Sequence, residues 1–344
     1  MRLFGGGKKT VGLDIGSGLI KLVVIDHGKS GPELSKVAIT PVLADAIVEG
    51  EVMDPGIVAD AIKGLFVTGG VKSKNVVCAV GGRDVIVKKI QMDRMKESDA
   101  REVIRWEAEQ HVPFDMENVE LDFQILDPDG EGLQMNVLLV AAKRELVENK
   151  VSLLADAGLS PQIIDVDAFA LHNAFELNYP DEMGGMLGLL NIGHEVTNIN
   201  ILEDGVPVLT RDLAIGTRRF REDLQREKGL SAEDADRLLQ SPQRDPQLDP
   251  YVESRGEEMA VGIERAAQFL SQSSRGSMTK MFMSGGGSRI PGIGEVLADR
   301  LRIPVEQANP IKNIRVAEGV FDSFPMDEVV PLLMLPVGLA LRTT

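Results

Sequence analysis

Two copies of one pattern constrain this chain more than any other feature of it. Val11-Gly-Leu-Asp14-Ile-Gly16-Ser17-Gly18-Leu-Ile-Lys21 runs on to Gly28, and Gly188-Leu-Leu-Asn191-Ile-Gly193-His194-Glu-Val-Thr197 runs on to Gly205. Each reads as a strand, a tight polar turn and a returning strand. Asp14 matches Asn191, Gly16 matches Gly193 and Gly28 matches Gly205, all at an offset of 177 positions. The agreement therefore covers a whole hairpin, and a duplicated hairpin predicts two similar domains facing one another.

Such turns suit phosphate. Glycine lets the backbone approach an anion with no Cβ in the way and lets successive N–H groups converge on oxygen. Ser17 adds a hydroxyl and Lys21 a point charge. Asp14 would repel phosphate directly, but it makes sense with a Mg2+ ion held through water between them. One copy alone is equally an ordinary β-hairpin with glycine at its turn. A third element strengthens the phosphate reading: the short apolar strand beginning Met281-Phe-Met leads into Ser284-Gly285-Gly286-Gly287-Ser288, and Pro291 then opens a helix with Ile293, Val296, Leu297 and Leu301 at helical spacing. Bare backbone beside a helix start can take a flat base or ribose, though the same loop is also how an α/β protein turns a corner.

At 344 residues the chain fits two domains, and 43% hydrophobic with only 4% aromatic residues describes an aliphatic globular core. A net charge of −16 argues against nucleic acid and against adhesion to an anionic membrane, both of which need a basic face. The single cysteine, Cys78, lies in an apolar strand and reads as a buried, inert thiol in a reducing cytoplasm. The start of the chain is too short and glycine-rich for a secretory signal. The longest apolar stretch, 329–341, is broken by Pro331 and Pro336 and is too short to span a bilayer, so no direct membrane insertion is expected.

Residues 11–90 read as strands with one helix at 55–66. From about 87 to 160 the texture changes to a helix at 98–111 capped by Ser98, strands at 119–126 and 134–141 joined by the turn Asp127-Pro-Asp-Gly130, and a helix at 143–157 ended by Gly158. A further helix follows Asp165 and contains Ala168, Leu171 and Phe175, its alanines permitting close packing. Residues 217–275 read as helical and charged, broken at 241–250 by a polar, proline-rich run expected to be a mobile loop.

The ordered set of Asp14-x-Gly16-Ser17-x3-Lys21, an alanine-rich linking helix, Asn191-Ile-Gly193-x3-Thr197 and a strand entering Gly285-Gly-Gly-Ser288 resembles the actin-like ATPase superfamily across nearly the whole chain. The resemblance implies an α/β, ribonuclease H-like duplicated fold binding ATP between two domains. Within it, Glu102-Val-Ile-Arg105-Trp106-Glu107 through Pro113-Phe114, then Glu117 to Gln124, Leu209-Thr-Arg211-Asp212 to Gly216, and Pro336 to Arg342 resemble the PilM family of type IV pilus assembly proteins. Residues 87–160 would then be the inserted subdomain shared with the cell-division protein FtsA. The first actin-like domain would comprise 1–86 and 161–185, with 323–344 returning to it, and the second 186–322. FtsA itself typically adds a long linker and a basic membrane helix, whereas this chain stops at Thr344.

Carried onto this sequence, the resemblance assigns Gly16, Ser17, Gly18 and Lys21 to a first phosphate loop and Asn191, Gly193, His194 and Thr197 to a second. Gly285, Gly286, Gly287 and Ser288 would form the nucleoside loop, Gly216 would open a helix near the nucleotide, and Asp14 would hold Mg2+ through water. Asn191 stands where many relatives have Asp, which predicts binding that outlasts catalysis: at most a slow ATPase. Asp167 falls where active relatives present a residue to the attacking water, yet Asp165 or Asp167 is equally suited to capping the helix. His194 alone reads as a solvent-facing turn residue, and Trp106 as core or as the lining of a partner groove.

The implied role is a cytoplasmic scaffold, peripheral to the inner membrane through a partner. It would bind the cytoplasmic N-terminal segment of PilN in a groove bordered by the insert and link the PilN and PilO complex to the pilus motor ATPases and platform protein. The alternatives are a sugar or carboxylate kinase of the same superfamily using Asp167 as base, and a filament-forming, FtsA-like protein whose self-association lies in surfaces a single sequence does not display.

Overall fold

The computed structural model describes residues 8–270 and 276–343; the glycine-rich start at 1–7, the last turn of the helical stretch expected at 217–275 and Thr344 lie outside the described residues. Two mixed sheets dominate. In the first, Gly31–Pro41, Leu19–Gly28 and Lys8–Ile15 run antiparallel as a meander, and Asn75–Val80 and then Ser160–Val166 continue the sheet in parallel. In the second, Val206–Leu213, Thr197–Glu203 and Met186–Ile192 form the same meander, extended in parallel by Lys280–Ser284 and Val305–Gln307. The duplication seen in the hairpins thus extends to whole sheets of the same order and direction. Arg315–Val316 adds a sixth strand at the outer edge of the first.

Parallel strands are covered on both faces and need near-continuous apolar sequence. The Asn75–Val80 strand supplies it, with Val76, Val77, Cys78, Ala79 and Val80 all buried. Between the two sheets lie the helix Asp167–Asn178 and the C-terminal helix Met334–Leu341. Their packing is backbone to backbone: a Cβ on Gly338 would overlap the Ala170 carbonyl, and one on Gly12 would overlap that of Pro336. Phe175 stacks on Tyr179 at 4.9 Å between ring centroids and tilts against Phe282 of the second sheet at 4.7 Å, so one apolar core joins both lobes.

The inserted unit is a separate three-stranded antiparallel sheet, Val85–Asp93, Gln134–Lys143 and Val119–Ile125, covered by the helix Glu97–Glu109 through Ala100, Ile104 and Ala108. The following helix, Arg144–Asp156, buries Leu153 and Leu154 among Ile62, Leu65 and Cys78 of the first lobe. Cys78 is buried as expected, and burial pushes its thiol up to about 11. Among the described residues no helix is long and apolar enough to cross a membrane.

Three local expectations are corrected. Ser98 does not cap its helix, which begins at Glu97 with Lys96 at the cap; the Ser98 hydroxyl donates to Asp99 instead, at 3.0 Å. Pro291 does not open the later helix, because Gly292 takes φ +89° and helical geometry starts only at Ile293. The run at 241–250 is anchored: Leu248 is fully buried in the second core, and Arg244 pairs with Asp249 at 2.8 Å and Glu295 at 3.3 Å. Periodicity missed Leu248 because a single apolar residue inside a polar run leaves no pattern.

Candidate functional site

Both duplicated turns close in the same way. The Gly16 N–H donates to the Leu19 carbonyl at 3.2 Å and the Gly193 N–H to the Val196 carbonyl at 2.9 Å. Behind each turn the first strand faces the second with a polar pair in the same register. Asp14 lies opposite Lys21, carboxylate to ammonium 2.5 Å, both largely buried. Asn191 lies opposite Asn198, and its side-chain amide donates to Asn198 at 3.1 Å. The first hairpin therefore carries an ion pair where the second carries two neutral amides. Ser17 and Gly18 complete the first turn, half-buried.

The turns meet across the lobes. A Cβ on Gly18 would come within 2.9 Å of His194 Cβ, so only glycine fits there. His194 does not face solvent as expected: it is half-buried, and its Nδ1 lies 3.0 Å from the Thr217 hydroxyl. Burial first, and then the positive charge of Arg221, hold its imidazole below the usual histidine range. Thr197 is fully buried, and its hydroxyl donates to the Ile215 carbonyl at 2.6 Å. Gly216 precedes the helix Thr217–Lys228, whose first N–H groups donate to the carbonyls of Gly193 and His194 at 3.0 and 2.8 Å; a side chain on Gly216 would strike that loop.

The triple-glycine loop rests on the end of Met186–Ile192. Gly285 has φ +84°, and a Cβ there would lie 2.5 Å from the Ile192 carbonyl. Gly287 would overlap the Ile192 side chain if it carried one. Gly286 lies beside Leu332, and the buried Ser288 hydroxyl donates to the Gly285 carbonyl at 2.7 Å, closing the loop on itself.

Asp167 stands at the first position of the linking helix, where a carboxylate also suits the helix dipole. It lies directly against Gly81, whose missing side chain makes the space. Protein crowds it on most sides, and this loss of water, with the negative charge of Asp14 next, pushes its carboxyl up to about 7. Asp212, which accepts from Asn198 at 2.8 Å, is also raised by burial. In the sequence Asp212 stands only as part of a segment that carries the family resemblance, and Asn198 and Asn200 have no assigned role. The last is fully buried and donates to the Ala168 carbonyl at 2.9 Å, tying the second sheet to the start of the linking helix. The alternation Asn198-Ile-Asn200-Ile, which places amides on one face of an otherwise apolar strand, was the available signal.

Among the described residues no three His, Cys, Asp or Glu side chains converge as a metal cage. Asp14, the carboxylate behind the first turn, faces Lys21 and belongs to no such cluster.

The model of the type IV pilus assembly protein PilM matches residues 12–344. The chain belongs to the PilM family. A solved PilM-PilN type IV pilus biogenesis complex is similar to this PilM-family chain at 30% identity, with TM-score 0.85, covering 97% of this chain and 98% of that one. The ethanolamine utilization protein EutJ from Carboxydothermus hydrogenoformans is similar at 18% identity and TM-score 0.60, covering 98% and 90%. MreB 5 of Spiroplasma citri bound to AMPPNP is similar at 12% identity and TM-score 0.52, covering 96% and 94%. The last two bear on the fold alone, which is that of the actin-like ATPases.

Proposed function

We propose that this PilM-family chain is an ATP-binding scaffold of type IV pilus assembly that binds the cytoplasmic N-terminal segment of PilN. The observation that carries the reading is the 30% identity to a PilM that is in complex with PilN, over 97% of this chain. It weighs for the scaffold and against the kinase and division-protein alternatives. A cavity of about 530 Å3, lined by Phe114, Asp115, Asn118, Lys143, Arg144 and Glu148, suits an extended peptide. The Lys143 ammonium lies 5.1 Å over the Phe114 ring, and both charge signs are present for a polar segment to meet. Such a partner would hold the protein at the inner membrane from the cytoplasmic side, next to the motor ATPases and platform protein.

In this reading ATP lies between the two duplicated turns. The backbone at Gly16 to Gly18 and at Gly193 to His194 receives phosphate, Lys21 supplies positive charge, and Gly285 to Ser288 receives the nucleoside. Bound Mg2+ would neutralise phosphate charge, with Asp14 holding its water. Asp167, its carboxyl raised to about 7, suits a base for the attacking water, whereas the neutral Asn191 to Asn198 pair lacks the carboxylate that many relatives carry at that position; slow hydrolysis at most follows from that loss. Nucleotide touching both lobes would bias their angle and so the peptide groove, by no more than its difference in affinity for the two shapes.

The test is calorimetry of ATP with Mg2+ on the wild type and on Lys21→Ala, then of a PilN tail peptide with and without nucleotide. Binding of ATP lost in Lys21→Ala, with micromolar-range peptide binding, supports the scaffold. No peptide heat at high concentration refutes the partner, and no ATP heat at millimolar concentration refutes the nucleotide site.

A further inference from the structure

The segment from Val42 to Asp54 leaves the first lobe, crosses to the second and returns. At its base the Val42 N–H donates to the Gly18 carbonyl at 3.1 Å, and Ala46 and Ile47 are buried in the first core. Its tip is a two-residue hairpin, Ile47–Val48 against Glu51–Val52, turned by Glu49 at φ +50° and Gly50 at φ +87°. Positive φ at both positions suits Asn, Asp or Gly, so Glu49 is an unfavourable choice there. Asp45 is also left-handed, at φ +61°. Strain of this kind persists when surrounding contacts over-determine the backbone.

Those contacts belong to the other lobe. The Glu49 N–H donates to Glu195 Oε2 at 2.6 Å. The other oxygen of Glu195 pairs with Arg218 at 2.6 Å, and the same guanidinium reaches Asp45 at 3.2 Å and Glu222 at 2.9 Å. Only 7% of the Glu195 side chain is exposed, so this carboxylate is almost wholly committed to one backbone N–H of the first lobe and one arginine of the second. Glu195 adjoins His194 in the second turn, whereas Val42 is bonded to the first. The segment thus bridges both turns at the mouth of the cleft they form.

We propose that Val42 to Asp54 is a strap that holds the two lobes closed, fastened by Glu195 and Arg218, and that it must unfasten for the cleft to exchange its ligand. Closure is set by the strap in the ligand-free protein; the exchange consequence rests on the nucleotide reading above. Charge-assisted bonds to a buried carboxylate are strong, while the Asp45 arm is exposed and weak.

The experiment measures interlobe distance by electron spin resonance between labels on Lys63→Cys and Glu253→Cys, both exposed positions, in ligand-free protein; the native Cys78 is buried and escapes labelling. Arg218→Gln should broaden and lengthen the distance distribution, Asp45→Asn should do so slightly, and Arg237→Gln, which breaks a surface ion pair away from the strap, should leave it unchanged. Release of a fluorescent ATP analogue should then be about five- to tenfold faster in Arg218→Gln. Distance distributions for Arg218→Gln that superimpose on the wild type overturn the strap whether or not nucleotide binds. Failure of the wild type to bind nucleotide overturns the nucleotide reading alone, and the distances still decide the strap.

Discussion

Replacing Asp167 by Asn should flatten part of the pH dependence of stability. In the folded protein this carboxyl keeps its proton to about pH 7, against 3.8 for the unperturbed group. Between those values the folded state holds a proton that the unfolded chain has lost, so stability is fully present below 3.8 and falls as pH rises, until the loss is complete above 7. At 1.36 kcal/mol per pH unit, the part of that loss between pH 5 and pH 8 is on the order of 3 kcal/mol. Asn has nearly the same shape, fits the space beside Gly81 and has no proton to lose. Guanidinium denaturation of both proteins at pH 5, 6, 7 and 8, followed by circular dichroism, measures the difference, and the raised carboxyls of Asp165 and Asp212 act in both proteins and largely cancel. The variant should gain on the wild type by about 3 kcal/mol from pH 5 to pH 8. A difference that stays constant over that range would refute the argument that Asp167 is desolvated in the folded cleft.

Three further outcomes can be checked. Gly338→Ala should destabilise the protein by about 3 kcal/mol, because the new Cβ would overlap the Ala170 backbone, which cannot give way as a flexible side chain would; thermal unfolding reads this. Leu248→Ala should cost about 2–5 kcal/mol, the value for a core leucine, whereas a mobile loop would lose almost nothing. Trp106, 74% exposed, should be replaceable by Ala within about 0.5 kcal/mol of wild-type stability, and a larger loss in denaturant titration would mean that its ring is packed.

The paired hairpins were readable from the residues because everything that makes them is local. A strand, a glycine turn and a returning strand close through bonds such as Gly16 to Leu19 and Gly193 to Val196, three positions apart, and the same chemistry repeated at a fixed offset announces a repeated fold. Buried strands such as Leu19–Gly28 and the alanine-lined helix Asp167–Asn178 were readable for the same reason, since periodicity and small residues act within one element. What the residues alone did not decide is which groups meet. Asp212 reaches Asn198 only because their strands pair, Asn200 reaches Ala168 only because the linking helix crosses the second sheet, and Glu49 reaches Glu195 across 146 positions. His194 turned inward, Leu248 became core and Trp106 stayed outside, each against or beyond its local pattern. Propensity and periodicity describe what one segment prefers, whereas burial and pairing belong to contacts between segments distant in the sequence, and those exist only once the segments have come together in the fold.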